Sequence, residues 1–196
     1  MKRGGLTAFV VLALGIAVAL VVRASGWMNV SAIAPPSGFE AWFFGGIADH
    51  SVEAHAKPIA AIDHDDPALL KIGLAHYNEM CVACHAAPDL EPSEIERGLN
   101  PPPPHLWTDD SQSLTDSQLY WIVKNGVRMT GMPAFGPTHD EKELRAIVAF
   151  VRRLPKLGKG QYTALVRASG FPLPGEQESD ETERRAPDDL KGAIDE

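Results

Sequence analysis

Three observations in the sequence predict an all-α chain with a membrane-length apolar start and extended flanks. An almost unbroken apolar run extends from Leu6 to Val22. Further along, several helix-start signatures are each followed by apolar residues at helical spacing. Sixteen prolines and seventeen glycines occupy much of the remaining chain, where missing donors and loose backbone oppose long helices.

The apolar run follows Lys2 and Arg3, so the positive-inside rule keeps its start in the cytoplasm and sends everything after Val22 outward. Its length is about the shortest that spans a bilayer as a helix. Arg23 can snorkel, and Trp27 suits the outer interface. Val22-Arg23-Ala24 also offers a signal-peptidase site, but the run exceeds the roughly 7 to 15 apolar residues of a signal peptide. A retained anchor is therefore expected over a cleaved signal. Either way the body is exported, to the periplasmic face of a bacterial inner membrane. The expected organisation is an anchor over residues 1–26, a linker over 27–65, a compact domain over 66–170 and an acidic, disordered tail over 171–196.

The linker carries Pro35, Pro36, Gly38, Gly45 and Gly46 around Phe39, Trp42, Phe43 and Phe44. Those aromatics can lie on the membrane surface or cover part of the core. Asp66 is a good N-cap with Pro67 at the first helical position; Leu69, Leu70, Gly73, Leu74, Tyr77 and Met80 then recur at helical spacing. This first soluble helix should deliver the chain directly into Cys81. Prolines 88, 92 and 101–104 predict a mostly irregular stretch over 86–113. A second helix starts at Thr115, with Gln118 completing a capping box, shows Leu119, Ile122 and Val123 inward and ends at Gly126. A third starts near Thr138 or Asp140, with Glu141 or Glu143 as box partner, and runs through Leu144, Ile147, Val148 and Val151 until Pro155 stops it. A short last helix covers Tyr162 to Ser169.

The formal charge of −8 is unevenly placed: residues 176–196 hold nine acidic against three basic side chains, so the body is nearly neutral. An acidic chain without a basic stripe is a poor nucleic-acid binder.

Two cysteines in an exported protein ordinarily suggest a disulfide, but here they stand in Cys81-Val82-Ala83-Cys84-His85. That Cys-x-x-Cys-His spacing is the signature of haem attachment and uses both thiols; a redox dithiol is the competing use. Haem that only carries electrons needs a second strong axial ligand. Of five methionines, Met1 and Met28 lie in or near the anchor and Met80 is too close to Cys81. The choice is between Met129 and Met132. Met132 is favoured, because Gly131 permits close approach to a porphyrin and Pro133 stiffens the chain behind the sulfur; Met129 reads as a packing residue. Arg97, Trp107 and Arg128 are candidate donors to haem propionates. Histidines 50, 55, 64, 76, 105 and 139 lack metal-site spacing and are expected to be solvent-exposed, His105 being the one competitor for the sixth position.

Cys81 to His85 after a helix holding Gly73 and Tyr77, then Gly131-Met132-Pro133-Ala134-Phe135, then a terminal helix, resembles class I cytochrome c over roughly Pro67 to Pro155. The resemblance implies a small all-α fold whose first and last core helices cross near Gly73, against Ala149 or Phe150. It also implies one covalent haem c, His85 and Met132 as axial ligands, and a carbonyl within Pro101–Pro104 accepting the other N–H of His85. The expected function is electron transfer in a periplasmic respiratory or dehydrogenase chain, between redox protein partners. A peroxidase-like haem enzyme or a haem-based sensor with a displaceable sixth ligand is the alternative.

Overall fold

The structure, a computed structural model, describes residues 2–27 and 29–174, and every regular element among them is helical. Met1, Met28 and residues 175–196 of the tail expected to be disordered lie outside the described residues, whereas Phe171 and Leu173, at the expected start of that tail, pack against the core and the Pro172 carbonyl accepts from Asn78 at 2.9 Å. The chain divides into two units at Pro35.

The first unit is α1, Lys2–Ser25. Within it Gly4–Ser25 is long and apolar enough to cross a membrane, and Leu6, Phe9, Val11 and Leu14 are all exposed.

The second unit holds α2 (Gly38–His55), α3 (Pro67–His76), α4 (Val82–His85), α5 (Glu94–Gly98), α6 (Asp109–Ser113), α7 (Asp116–Asn125), α8 (Glu141–Arg153) and α9 (Gln161–Ala168). Helix α2 corrects the expectation of an extended linker. The Ser37 hydroxyl accepts the Glu40 N–H while the Glu40 carboxylate accepts the Ser37 N–H, a capping box that starts the helix despite Gly45 and Gly46, each unfavourable by about 1 kcal/mol. Its last turns pack on α7, burying Val52 and bringing the His55 ring within 6.1 Å of Trp121. Phe39, Trp42, Phe43 and Phe44 cover no core; all four are exposed.

Asp66 caps α3 by accepting the Ala68 N–H at 2.8 Å, and α3 crosses α8. At the crossing a side chain on Gly73 would overlap the Ala146 carbonyl and stand 2.7 Å from Phe150 Cβ. The nearest atoms at the crossing thus belong to Ala146 and to Phe150. Helix α8 starts at the Asp140–Glu143 box. It buries Ala146, Ala149 and Phe150 besides the expected Leu144, Ile147, Val148 and Val151, because neighbouring helices cover it on more than one side. Helix α7 starts at the Thr115–Gln118 box and ends at Gly126, which takes a φ of +65° that suits glycine; Leu119 and Val123 are buried and Ile122 is half-buried. Tyr162 and Val166 of α9 are fully buried, and the Tyr162 hydroxyl donates to Asn78 at 3.0 Å.

The stretch 86–113 is mostly irregular, as expected, and holds only the five-residue helices α5 and α6, the first started by Ser93 accepting the Glu96 N–H at 3.0 Å; local capping chemistry succeeds where no proline intervenes. One connection is corrected: α3 does not run straight into Cys81, because residues 77–81 form one wide turn, closed by the Val82 N–H donating to the Tyr77 carbonyl five residues back. Such an inserted residue re-aims the side chains that follow and is frequent at functional sites.

Arg152 ties the end of α8 to the start of α7. Its guanidinium donates to Asp116 at 2.9 Å, to the Gln112 carbonyl at 2.8 Å and to the Leu114 carbonyl, while His64 Nε2 meets the other Asp116 oxygen at 2.7 Å. Burial works to raise the Asp116 pKa, but the hydrogen bonds from Arg152 and His64 outweigh it and hold the carboxyl below its ordinary value. A depressed carboxylate stabilises the fold above its unfolded pKa of about 3.9, and that contribution disappears as pH falls through the folded value. With solvent screening the pair contributes about 1 kcal/mol. Asp116→Asn should therefore lower the urea midpoint at neutral pH and make progressively less difference as pH falls below about 3.9.

Candidate haem site

The two thiols and His85 sit on one short helical stretch. Cys81 closes the wide turn and Cys84 and His85 lie in α4, so an i, i+3 spacing sets both sulfurs on one face with the imidazole beside them. Both cysteines are free thiols. Burial, and then the neighbouring Cys84, push Cys81 up to about 12; burial and then the Glu96 carboxylate raise Cys84. A redox Cys-x-x-Cys needs a lowered thiol pKa. This pair has the opposite, and its environment suits sulfurs that stay neutral, as thioethers are.

His85 is 8 % exposed. Its Nδ1 lies 2.7 Å from the Pro104 carbonyl, which can only accept, so Nδ1 carries the proton and Nε2 keeps its lone pair. Burial lowers the His85 pKa although this hydrogen bond works against the shift, so the ring is neutral at physiological pH. A neutral imidazole with its second nitrogen held by a carbonyl is the form in which histidine ligates a metal. The acceptor falls within the expected run Pro101–Pro104.

After His85 the chain turns at Ala86, at a φ of +51° that costs a residue with a Cβ of order 1 to 3 kcal/mol. The fully buried Tyr77 holds it there by donating its hydroxyl to the Ala86 carbonyl at 2.7 Å. Ser93 donates to the Ala83 carbonyl, tying α5 to the thiol-bearing turn.

Met132 packs, half-buried, against the core cluster that includes Cys81, Tyr77 and Val82. Its N–H donates to the Thr130 hydroxyl at 3.1 Å, and its carbonyl accepts the Val127 N–H at 3.2 Å. Gly126 is required behind it, since a Cβ there would stand 2.8 Å from the Met132 carbonyl oxygen. At Gly131 a Cβ would meet Leu99 Cδ2 at 2.5 Å. Met129 differs in every respect: it has a φ of +61° and is 86 % exposed.

Of the candidate propionate donors, Arg97 and Arg128 are exposed, and Trp107 is half-buried with the His105 ring stacked at 4.5 Å. The expectation of exposed histidines is met at His50 and His55 and corrected elsewhere. His64 is held by Asp116. His76 stands 3.6 Å from Glu143 and edge-on to His139 at 4.9 Å. His105 Nε2 lies 2.8 Å from Glu96, a buried carboxylate whose other oxygen has no partner among the described residues. Glu96 is the residue sequence reasoning missed; Ser93-x-x-Glu96, a helix-start pattern, was its one visible signal.

A buried neutral histidine following two neutral thiols on a turn re-registered by one residue, in a domain whose α3 and α8 cross at a glycine, is the arrangement a class I c-type cytochrome domain needs. Residues 68–151 match the family model described as cytochrome C oxidase, cbb3-type, subunit III. The match covers less than half of the chain; it supports a class I c-type cytochrome domain over that segment, and such a domain implies covalently bound haem c. The family match supports haem-based electron transfer. No curated protein matches the chain.

Proposed function

We propose that the chain is a membrane-tethered electron carrier whose haem domain, residues 66–170, faces the periplasm of a bacterial inner membrane. In this reading Cys81 and Cys84 would hold the haem covalently as thioethers. His85 Nε2 and the Met132 sulfur would ligate the haem iron. The neutral thioether favours the reduced iron and raises the potential. Between electron-transfer events both ligands stay in place, held by the Pro104 carbonyl behind His85 and by the closed loop around Met132. Electrons would pass between redox protein partners, with the chain acting alone or as a subunit of an oxidoreductase complex.

The single observation that carries this reading is the His85 Nδ1 hydrogen bond to Pro104, which leaves the other nitrogen of a buried neutral ring free beside two neutral thiols. The test is the Cys81→Ala/Cys84→Ala double variant. Haem should withstand acidified-solvent extraction from the parent protein and be lost completely from the variant; haem extracted from the parent would refute the attachment.

The anchor, residues 1–26, is tested separately. N-terminal sequencing of the mature protein should begin at or next to Met1; a start at Ser25 would make α1 a cleaved signal.

A further inference from the structure

We propose that the N-terminal half of α2 is a second membrane contact, with Phe39, Trp42, Phe43, Phe44 and Ile47 seated among lipid headgroups and upper acyl chains. The inference rests on the reading of α1 as a retained anchor and adds a surface that orients the haem domain.

The first observation is exposure without a polar face. Phe39 is 66 %, Trp42 73 %, Phe44 53 % and Ile47 53 % exposed, and the rings form one continuous cluster, with centroids 5.6 Å apart for Phe39–Phe43 and 5.3 Å for Phe43–Phe44. At 100° per residue these five side chains spread over more than half of the helix circumference. The other residues of 38–48 are Gly38, Glu40, Ala41, Gly45, Gly46 and Ala48, so Glu40 is the one polar side chain in the segment. A helix apolar on nearly every side belongs in an apolar medium, and soluble surfaces rarely leave so large a patch open. A protein groove would cover one side; acyl chains cover every side.

Polarity instead changes along the axis. Asp49, His50, Glu53 and His55 fill the C-terminal half, which is also the half that packs on the domain through Val52 and His55. The apolar part, residues 38–48, is about 16 Å long. It is too short to cross a bilayer and long enough to dip into one while the polar half stays in water. Its tip suits that medium, because the Ser37–Glu40 capping box already satisfies two of the backbone donors a helix start exposes. Glu40, the one charge between Phe39 and Ala48, is turned back to the Ser37 N–H at 2.8 Å. Aromatic side chains are also the type enriched at membrane interfaces.

Lipid is favoured as the occupant by reach. Only residues 26–37 separate α1 from α2, and twelve residues extend about 40 Å at most. A protein tethered through α1 therefore keeps this apolar tip within that distance of the bilayer at all times.

The experiment uses the full, haem-loaded chain in phosphatidylcholine vesicles containing a phosphatidylcholine with a photoactivatable diazirine in its acyl chain. Adducts are located by proteolysis and fragment mass spectrometry. Adducts within residues 4–25 test the anchor, and adducts within residues 38–48 test this inference. Both sets are expected. In the Phe39→Glu/Trp42→Glu/Phe43→Glu variant, which alters only exposed side chains, the 38–48 adducts should be lost while the 4–25 adducts and the haem spectrum are kept. Adducts in 4–25 alone, or 38–48 adducts that persist in the triple variant, overturn the inference and leave the anchor standing; a cross-link from α2 to another protein in native membranes would then identify the true occupant. Absence of both sets overturns the anchor and the inference together.

Discussion

Replacing Gly73 with valine is expected to abolish accumulation of the haem-loaded protein. Helices α3 and α8 approach backbone to backbone at this residue, where even a Cβ would overlap the Ala146 carbonyl oxygen and stand 2.7 Å from Phe150 Cβ. Neither obstacle is the free end of a side chain, so no rotamer change relieves the clash. The helices must part, and the fully buried Tyr77, Ile147 and Phe150 lose their packing together. Where side chains can adjust, overpacking costs about 1 to 3 kcal/mol; moving a backbone contact should exceed about 4 kcal/mol, most of the stability of a marginal domain. Visible haem absorbance and immunoblots of membranes measure the outcome. Gly46→Ala is the control, because nothing lies within 4 Å of a Cβ there; it should accumulate normally and gain about 1 kcal/mol of helix preference. Normal levels of Gly73→Val protein with an unchanged melting temperature would show that this crossing is not what holds the domain together.

Which features were legible in the sequence follows from how local their causes are. Asp66-Pro67, Thr115 with Gln118, Asp140 with Glu143, and Gly126 each place a helix boundary through atoms within a few residues, and each is found where the sequence puts it. Cys81, Cys84 and His85 were equally visible, because thioether and imidazole chemistry imposes its own spacing. Helix α2 was hidden by its composition. Two adjacent glycines and a run of aromatics resemble a linker, and Ser37 with Glu40 outweighs them only because both box hydrogen bonds form. The wide turn at Tyr77–Cys81 has no local signal, since it is stabilised by Tyr77 reaching Ala86 and packing on Phe150 and Tyr162 at 5.4 and 6.1 Å. The partners of His64 and His76 lie 52 and 67 positions away along the chain, and no periodicity reports a contact at such a separation. His105 and Glu96 are only nine apart, but the proline run between them disguises the approach.

Replacing Met132 with alanine is expected to convert a six-coordinate electron carrier into a haem protein with an open iron position. The variant keeps Cys81, Cys84 and His85, so haem should remain covalently attached. The ferric protein should lose its weak near-infrared sulfur-to-iron band, the potential should fall, and the reduced protein should begin to bind carbon monoxide. The loop supports the assignment through its constraints. Met132 is fixed by the Thr130 hydroxyl on one side and the Val127 N–H on the other, with Gly126 admitting its carbonyl and Gly131 admitting Leu99, so its backbone has little freedom to retract the sulfur. Met129, 86 % exposed at a φ of +61°, would have to leave solvent to ligate. Met129→Ala should therefore preserve the band, the potential and the resistance to carbon monoxide. A band that vanished with Met129 and survived without Met132 would move the ligand to Met129 and leave electron transfer intact. Ready carbon monoxide binding by the unaltered protein would instead mean that the sixth position yields to ligands, and the enzyme or sensor class would then account for the site better than a carrier does.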